Sequence, residues 1–153
     1  SSNGPSSNFY GWLLVSSRTG AGGMIRQDAW NALGQPDHFV RYAVDGVWTP
    51  WEYVNPPMQL GVEYRTVERY NGKPVYVKAV NCGMLVGDKS VEHGVANMKA
   101  CIEINGCAGP QNLVGNASTG SITVDSSVIK TVVYSDIPHE DSIVIIKYTK
   151  TTD

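Results

Sequence analysis

Apolar and polar residues alternate with a period of two along much of the chain, and the 3.6-residue period of an amphipathic helix is almost absent. The alternation is clearest in Val95–Ile104, where Met98, Ala100, Ile102 and Ile104 fall on one face and Asn97, Lys99, Cys101 and Glu103 on the other. This predicts a half-buried strand. Ser121–Val124, Val128–Tyr134 and Ser142–Tyr148 are rich in β-branched residues and bounded by turn residues, so three more strands are expected there. Gly11-Trp-Leu-Leu-Val-Ser-Ser17 is apolar without alternation and reads as a buried strand with Trp12 in the core. Gly22–Arg26 and Phe39–Val44 read as two further strands. Gln27–Leu33 passes for a helical turn cut short by Gly34 and Pro36, and Asn105–Gly120 has the glycines, proline and polar residues of loops.

Turn chemistry sets the connections. Asn71-Gly72 stands between two β-rich runs, and this is the residue pair that most readily takes the positive φ angles of a two-residue hairpin turn. In a regular hairpin Tyr70 then faces Lys73, Glu68 faces Val75, Val67 faces Tyr76 and Arg65 faces Lys78, and both faces mix tyrosines with charges. Asp45-Gly46 is a second such turn, leading into Val47-Trp-Thr-Pro-Trp-Glu-Tyr-Val54. A regular strand there would send Trp48 and Trp51 to opposite faces. Asn55-Pro56-Pro57-Met58 is a stiff extended spacer and the expected domain border. The predicted architecture is all-β: a linker over residues 1–8, a small β-rich module over 9–55, and an antiparallel, jelly-roll-like β-sandwich over 56–153. The opening Ser-Ser-Asn-Gly-Pro-Ser-Ser-Asn reads as a linker or cut end, so the numbering is expected to begin partway along a longer protein.

Composition narrows the function. The chain has 153 residues, a formal net charge of −2 and 17% charged residues without a basic run, which argues against a nucleic-acid or anionic-membrane partner. Apolar runs such as Ile143-Val-Ile-Ile146 are too short to insert across a bilayer. Three cysteines, Cys82, Cys101 and Cys107, are an odd number outside any ligand spacing, so free thiols and a reducing place of assembly are expected. The low charge content and mixed-face strands suit a subunit completed by oligomerisation.

Gly61-Val-Glu-Tyr-Arg-Thr-Val-Glu-Arg-Tyr-Asn-Gly-Lys-Pro-Val-Tyr-Val-Lys78 and the C-terminal Ile146-Lys-Tyr-Thr-Lys-Thr-Thr-Asp153 resemble the distal head domains of bacteriophage tail fibres. Val91-Glu-His-Gly-Val-Ala-Asn-Met98, between them, resembles the segment that follows the hairpin in those proteins. Arg41-Tyr-x-x-Asp-Gly-x-Trp-x-Pro-Trp51 is similar to the knob modules of tail fibres and pyocin-like particles. The resemblance implies a knob-like module followed by a head domain, a homotrimer, a place at the fibre tip of a virion assembled in bacterial cytoplasm, and recognition of a bacterial surface glycan or protein.

Side chains that carry chemistry are sparse. His38, His93 and His139 stand far apart, in no metal-ligand spacing, and neither metal nor cofactor is expected. Glu92, Asp136, Glu140 and Asp141 offer carboxylates of the kind a glycosidase pairs, but loops ordinarily carry acids, and a depolymerising spike is ordinarily a long repeat. A non-catalytic protein is the expectation. Saccharides are gripped by flat ring faces beside side-chain hydrogen bonds, which makes Trp48, Trp51, Tyr53, His93, Tyr134, Asp136 and His139 the candidate ligand-binding residues. Two further readings stay open: a structural or trimerisation module of the same fibre, and, more remotely, a glycan-degrading enzyme.

Overall fold

The computed structural model describes residues 4–6, 8–18, 23–34, 37–108, 111–112, 120–125, 127–133 and 139–153. These form thirteen strands and no helix: β1 (Gly11–Arg18), β2 (Met24–Asn31), β3 (His38–Val44), β4 (Val47–Trp48), β5 (Glu52–Tyr53), β6 (Glu63–Tyr70), β7 (Lys73–Leu85), β8 (Lys89–Glu92), β9 (Met98–Ala108), β10 (Gln111–Asn112), β11 (Gly120–Val124), β12 (Val128–Val133) and β13 (His139–Lys150). The all-β class expected from the period-two pattern holds. The chain divides into two compact units, residues 1–57 with 64–68 and residues 58–63 with 69–153.

In the first unit β1, β2 and β3 run antiparallel, β3 pairs with both β4 and β5, and β5 meets the middle of β6 in parallel at Tyr53 and Thr66. Gln27–Asn31 belongs to β2, so the expected helical turn is a strand; its pairing with β3 overrides the local helical spacing. Asp45 and Gly46 have φ of 51° and 80°, the type I′ values their sequence asks for. One sheet face buries Ala29, Phe39 and Ala43, and Phe39 packs against Tyr53 with ring centroids 4.5 Å apart. The other buries Asp28, Val40 and Glu52. Both acids there are paired. Asp28 accepts from Arg26 Nε and Nη2 at 2.6 and 2.7 Å, and Glu52 accepts from Arg65 Nε at 3.0 Å.

Strand β1 departs from expectation. Every residue from Gly11 to Arg18 is exposed, including Trp12 (67%), Leu13 (53%), Leu14 (56%) and Val15 (52%). Trp12 is therefore not core. Among the described residues the strand sits at the end of its sheet and pairs with β2 alone, and none of them covers either of its apolar faces.

The second unit is built on β13, which pairs with β7 on one side and β9 on the other, and on a three-stranded sheet in the order β11-β12-β8. Val80, Cys82, Leu85, Val144, Ile146 and Tyr148 from the larger sheet and Ile129 from the smaller one form a single buried cluster with Val95. Ile122, Val124 and Val91 pack onto it. Lys89, on the same sheet face as Val91, donates to the carbonyls of Cys82 and Met84 at 2.5 and 3.0 Å.

Asn71 and Gly72 take φ of 48° and 74°, as a hairpin turn requires. Asn105-Gly106, by contrast, is not a loop: the two residues pair with Ile145 and Val144 inside β9. A Cβ on Gly106 would stand 2.3 Å from Ile122 Cδ1, so this glycine serves close approach and not a turn. A register shift between Lys147 and Tyr148 leaves Ile102 unmatched, which breaks the expected alternation and exposes that side chain. Cys82, Cys101 and Cys107 are free, and burial pushes the thiols of Cys82 and Cys101 up.

Candidate functional site

The Asp45-Gly46 turn folds the chain back so that Trp48 lies opposite Ala43. Arg41 is two residues from Ala43 and therefore shares its face, within reach of the indole. Pro50, which lacks an amide hydrogen, then interrupts the strand between β4 and β5. Thr49 stays alongside, donating its amide to the Tyr42 carbonyl at 2.8 Å and accepting the Tyr42 amide on its hydroxyl at 3.0 Å. With the alternation broken, Trp51 does not go to the face opposite Trp48. Both rings converge on one cation: the Arg41 guanidinium carbon lies 4.3 Å from the Trp48 ring centroid and 4.4 Å from that of Trp51. Contacts of this kind contribute about 0.5–2 kcal/mol each, more as the cation loses water.

The guanidinium is also fixed at its root, since Nε donates to Gln27 Oε1 at 2.7 Å across the β2–β3 pair. Burial pulls its pKa below the ordinary arginine value, but an arginine remains charged at neutral pH. Trp48 keeps 38% of its surface open. Tyr53, on the same sheet face, packs between Phe39 and Tyr64, the latter at 4.9 Å. Burial, then the charge of Asp37 and the neighbouring Tyr64, push its phenol up.

On the reverse face, Arg26 holds the Asp28 carboxyl well below the usual carboxylate range, and His38 Nε2 adds a contact to Asp28 at 3.1 Å. Trp30 stacks on the His38 ring at 4.7 Å. At the far end of β1 and β2 a hollow of about 310 Å³ is lined by Ser16, Arg18, Met24, Arg26 and Tyr42 among others; no candidate residue borders it.

The other candidates belong to the second unit. His93 belongs to the second unit and is buried; Nδ1 accepts the Val95 amide at 3.1 Å, and Nε2 lies 3.3 Å from the Asp125 carbonyl. The carbonyl can only accept, so the proton sits on Nε2 and the ring braces one stretch of chain against another. His139 opens β13 opposite Leu85. Tyr134 and Asp136 lie outside the described residues. Glu92, Glu140 and Asp141 are exposed, and among the described residues no three His, Cys, Asp or Glu side chains are grouped to hold a metal ion.

The two residues that sequence reasoning did not single out are Arg41 and Gln27. The signal for Arg41 was present: with Asp45-Gly46 as a two-residue turn, position 41 must share a face with position 48. Gln27 carried none, because the stretch from Gln27 to Leu33 has the spacing of a helical turn and hides its place in β2.

No protein-family model matches the chain, and no curated protein matches it. Two solved structures are similar. An N-truncated R2-type pyocin tail fiber aligns with 97% of this chain and 85% of its own, at 10% identity and a TM-score of 0.34. The P. aeruginosa R1 pyocin fiber, comprising C-terminal residues 323–701, aligns with 95% of this chain at 15% identity and a TM-score of 0.30. The alignment spans 59% of that fiber chain, and similarity at this level does not fix a shared fold.

Proposed function

We propose that this chain is the receptor-binding tip region of a phage tail fibre, a non-catalytic homotrimer that recognises a bacterial surface glycan, with residues 9–55 as a knob-like module and 56–153 as the head. The observation that carries the reading is β1, with Trp12, Leu13, Leu14 and Val15 open to water on both faces of an edge strand. A strand of this kind is a subunit contact awaiting its partner. The motif resemblances supply the fibre context, and the Trp48–Arg41–Trp51 stack supplies ring faces and a cation of the kind glycan sites use. Three identical sites on one axis raise avidity for a repetitive surface.

A structural module of the same fibre is the second reading. It predicts burial of the loops around Met84 to His93 and Ser135 to Asp141: in the first, His93 is buried but Met84 and Val86 are 53% and 52% exposed, and in the second, residues 135–138 lie outside the described residues while Glu140 and Asp141 are exposed. The experiment is binding of the purified protein to a panel of bacterial cells and extracted surface glycans, with its mass in solution measured in parallel. Saturable binding by a trimer is expected. A trimer without binding moves the assignment to the structural module, and a monomer removes the fibre reading.

A further inference from the structure

We infer that Arg41, clamped between Trp48 and Trp51, is a receptor for the carboxylate of an acidic sugar. The inference rests on the adhesin reading and names the ligand chemistry of its site.

The argument starts from the donors. A guanidinium carries five N–H groups in a fixed planar fork. Gln27 Oε1 takes the one on Nε, and among the described residues no acceptor or carboxylate takes those on the two terminal nitrogens. Other arginines of the same sheet are treated differently: Arg26 is bound twice by Asp28, and Arg65 is paired with Glu52. Asp28 and Glu52 project from the reverse face, and on the face of Arg41 the paired strands carry Gln27, Ala29, Phe39, Ala43 and Tyr53, none of them acidic. Asp45, in the adjoining turn, forms no ion pair with it.

A fork held this way is costly to leave idle. Two indole rings and a hydrogen bond hold the guanidinium in place, and burial has removed part of its water. The rotational freedom that a flexible arginine loses on binding has already been lost, so its terminal nitrogens are preorganised for a planar, two-oxygen acceptor. A carboxylate fits that geometry with two parallel hydrogen bonds. Trp48, 38% exposed, offers apolar surface beside the guanidinium against which a pyranose ring can rest, and a carboxylated pyranose carries both parts. Arg41 also stiffens the turn between β3 and β4, but a lysine or methionine stem would pack there without presenting a vacant fork.

The test titrates the full chain with oligosaccharides of glucuronate, galacturonate and N-acetylneuraminate, following tryptophan fluorescence. Each acid is run against its methyl ester, which keeps the ring and removes the charge, and glucose 6-phosphate is included as a non-carboxylate anion. At least one acid is expected to give a saturable change, with its ester weaker by about tenfold or more, the scale of a charge-assisted bidentate contact. Arg41→Lys keeps the charge but not the fork, and is expected to lose about tenfold as well. Equal binding of acid and ester, stronger binding of the sugar phosphate, or no response to any acid overturns the inference. The acid–ester comparison uses the unaltered protein, so it stands even where an Arg41 variant folds poorly. Cell binding separates the two levels: wild-type binding that survives Arg41→Gln overturns this inference and leaves the adhesin, whereas absence of wild-type binding overturns the adhesin itself.

Discussion

The hydroxyl of Tyr148, a wholly buried side chain, donates a hydrogen bond to the carboxylate of Glu63, a residue 85 positions earlier in the chain. Lys150 Nζ meets the other oxygen of the same carboxylate at 2.5 Å and sits 4.8 Å from the centre of the Tyr76 ring, which stacks on Tyr148. Tyr76 in turn donates to Asp153 at 3.1 Å. The C-terminal strand is thus tied to the second unit by a charge-assisted network and not by apolar burial alone. Tyr148→Phe keeps the ring and removes the donor, and is expected to lower stability by about 1.5–3 kcal/mol in urea unfolding.

The same residue gives an alkaline prediction. Burial first, then the hydrogen bond to Glu63, raise the Tyr148 phenol far above its ordinary value of 10.0. The unfolded chain therefore loses this proton at a lower pH than the folded one. Its stabilising contribution is complete below pH 10 and declines as pH rises above it, by at most about 1.4 kcal/mol per pH unit. Tyr148→Phe should flatten the alkaline limb of the stability profile; an unchanged limb would show that other groups set it.

Asp28 acts in the opposite direction. The hydrogen bond from Arg26 is the largest cause of its lowered pKa, so its contribution is present above the ordinary value of 3.8 and is lost as pH falls through the lower, folded value. Asp28→Asn is expected to reduce stability at neutral pH and to shrink the loss on acidification, read as the thermal midpoint at a series of pH values.

Gly106→Ala forces a methyl into the space of Ile122, at the join between β9 and β11. The crowded atom is the far end of the Ile122 side chain, which can turn aside, so the cost falls at the low end of overpacking, about 1 kcal/mol. Adding Ile122→Val, which removes the crowding Cδ1, should recover part of that loss, and the double-mutant cycle measures the coupling.

Leu14→Lys places a charge on the open edge strand β1, where the exposed Leu14 stands opposite Asp28 of β2. For a chain that assembles through this strand, the mass in solution should fall from trimer to monomer while the circular dichroism of the monomer stays β-type. Retention of the trimer would place the seam elsewhere.

What the sequence revealed and what it hid divide along physical lines. Asp45-Gly46 and Asn71-Gly72 were legible because positive φ is a local demand that few residue pairs meet. The β-branched runs that became β12 and β13 were legible for a similar reason. Asn105-Gly106 carries the same turn signal but answers to packing against Ile122, a demand set by a strand far along the chain. The burial expected of Trp12-Leu-Leu-Val15 fails because hydrophobicity reports that a side chain is apolar, not whether a neighbouring element lies over it. At the candidate site, the aromatic residues were legible and their arrangement was not: the break at Pro50 cancels the alternation on which opposite faces for Trp48 and Trp51 depended.

The bare edge of β1 also bears on how the protein is made. From Gly11 to Ser17 it has neither charge nor proline, the residues that ordinarily turn away stray strands. Backbone donors and acceptors on such an edge do not discriminate between a sister chain and any other extended polypeptide. Each newly synthesised chain therefore offers this edge to any extended polypeptide it meets while folding, and stray pairing rises with synthesis rate and temperature.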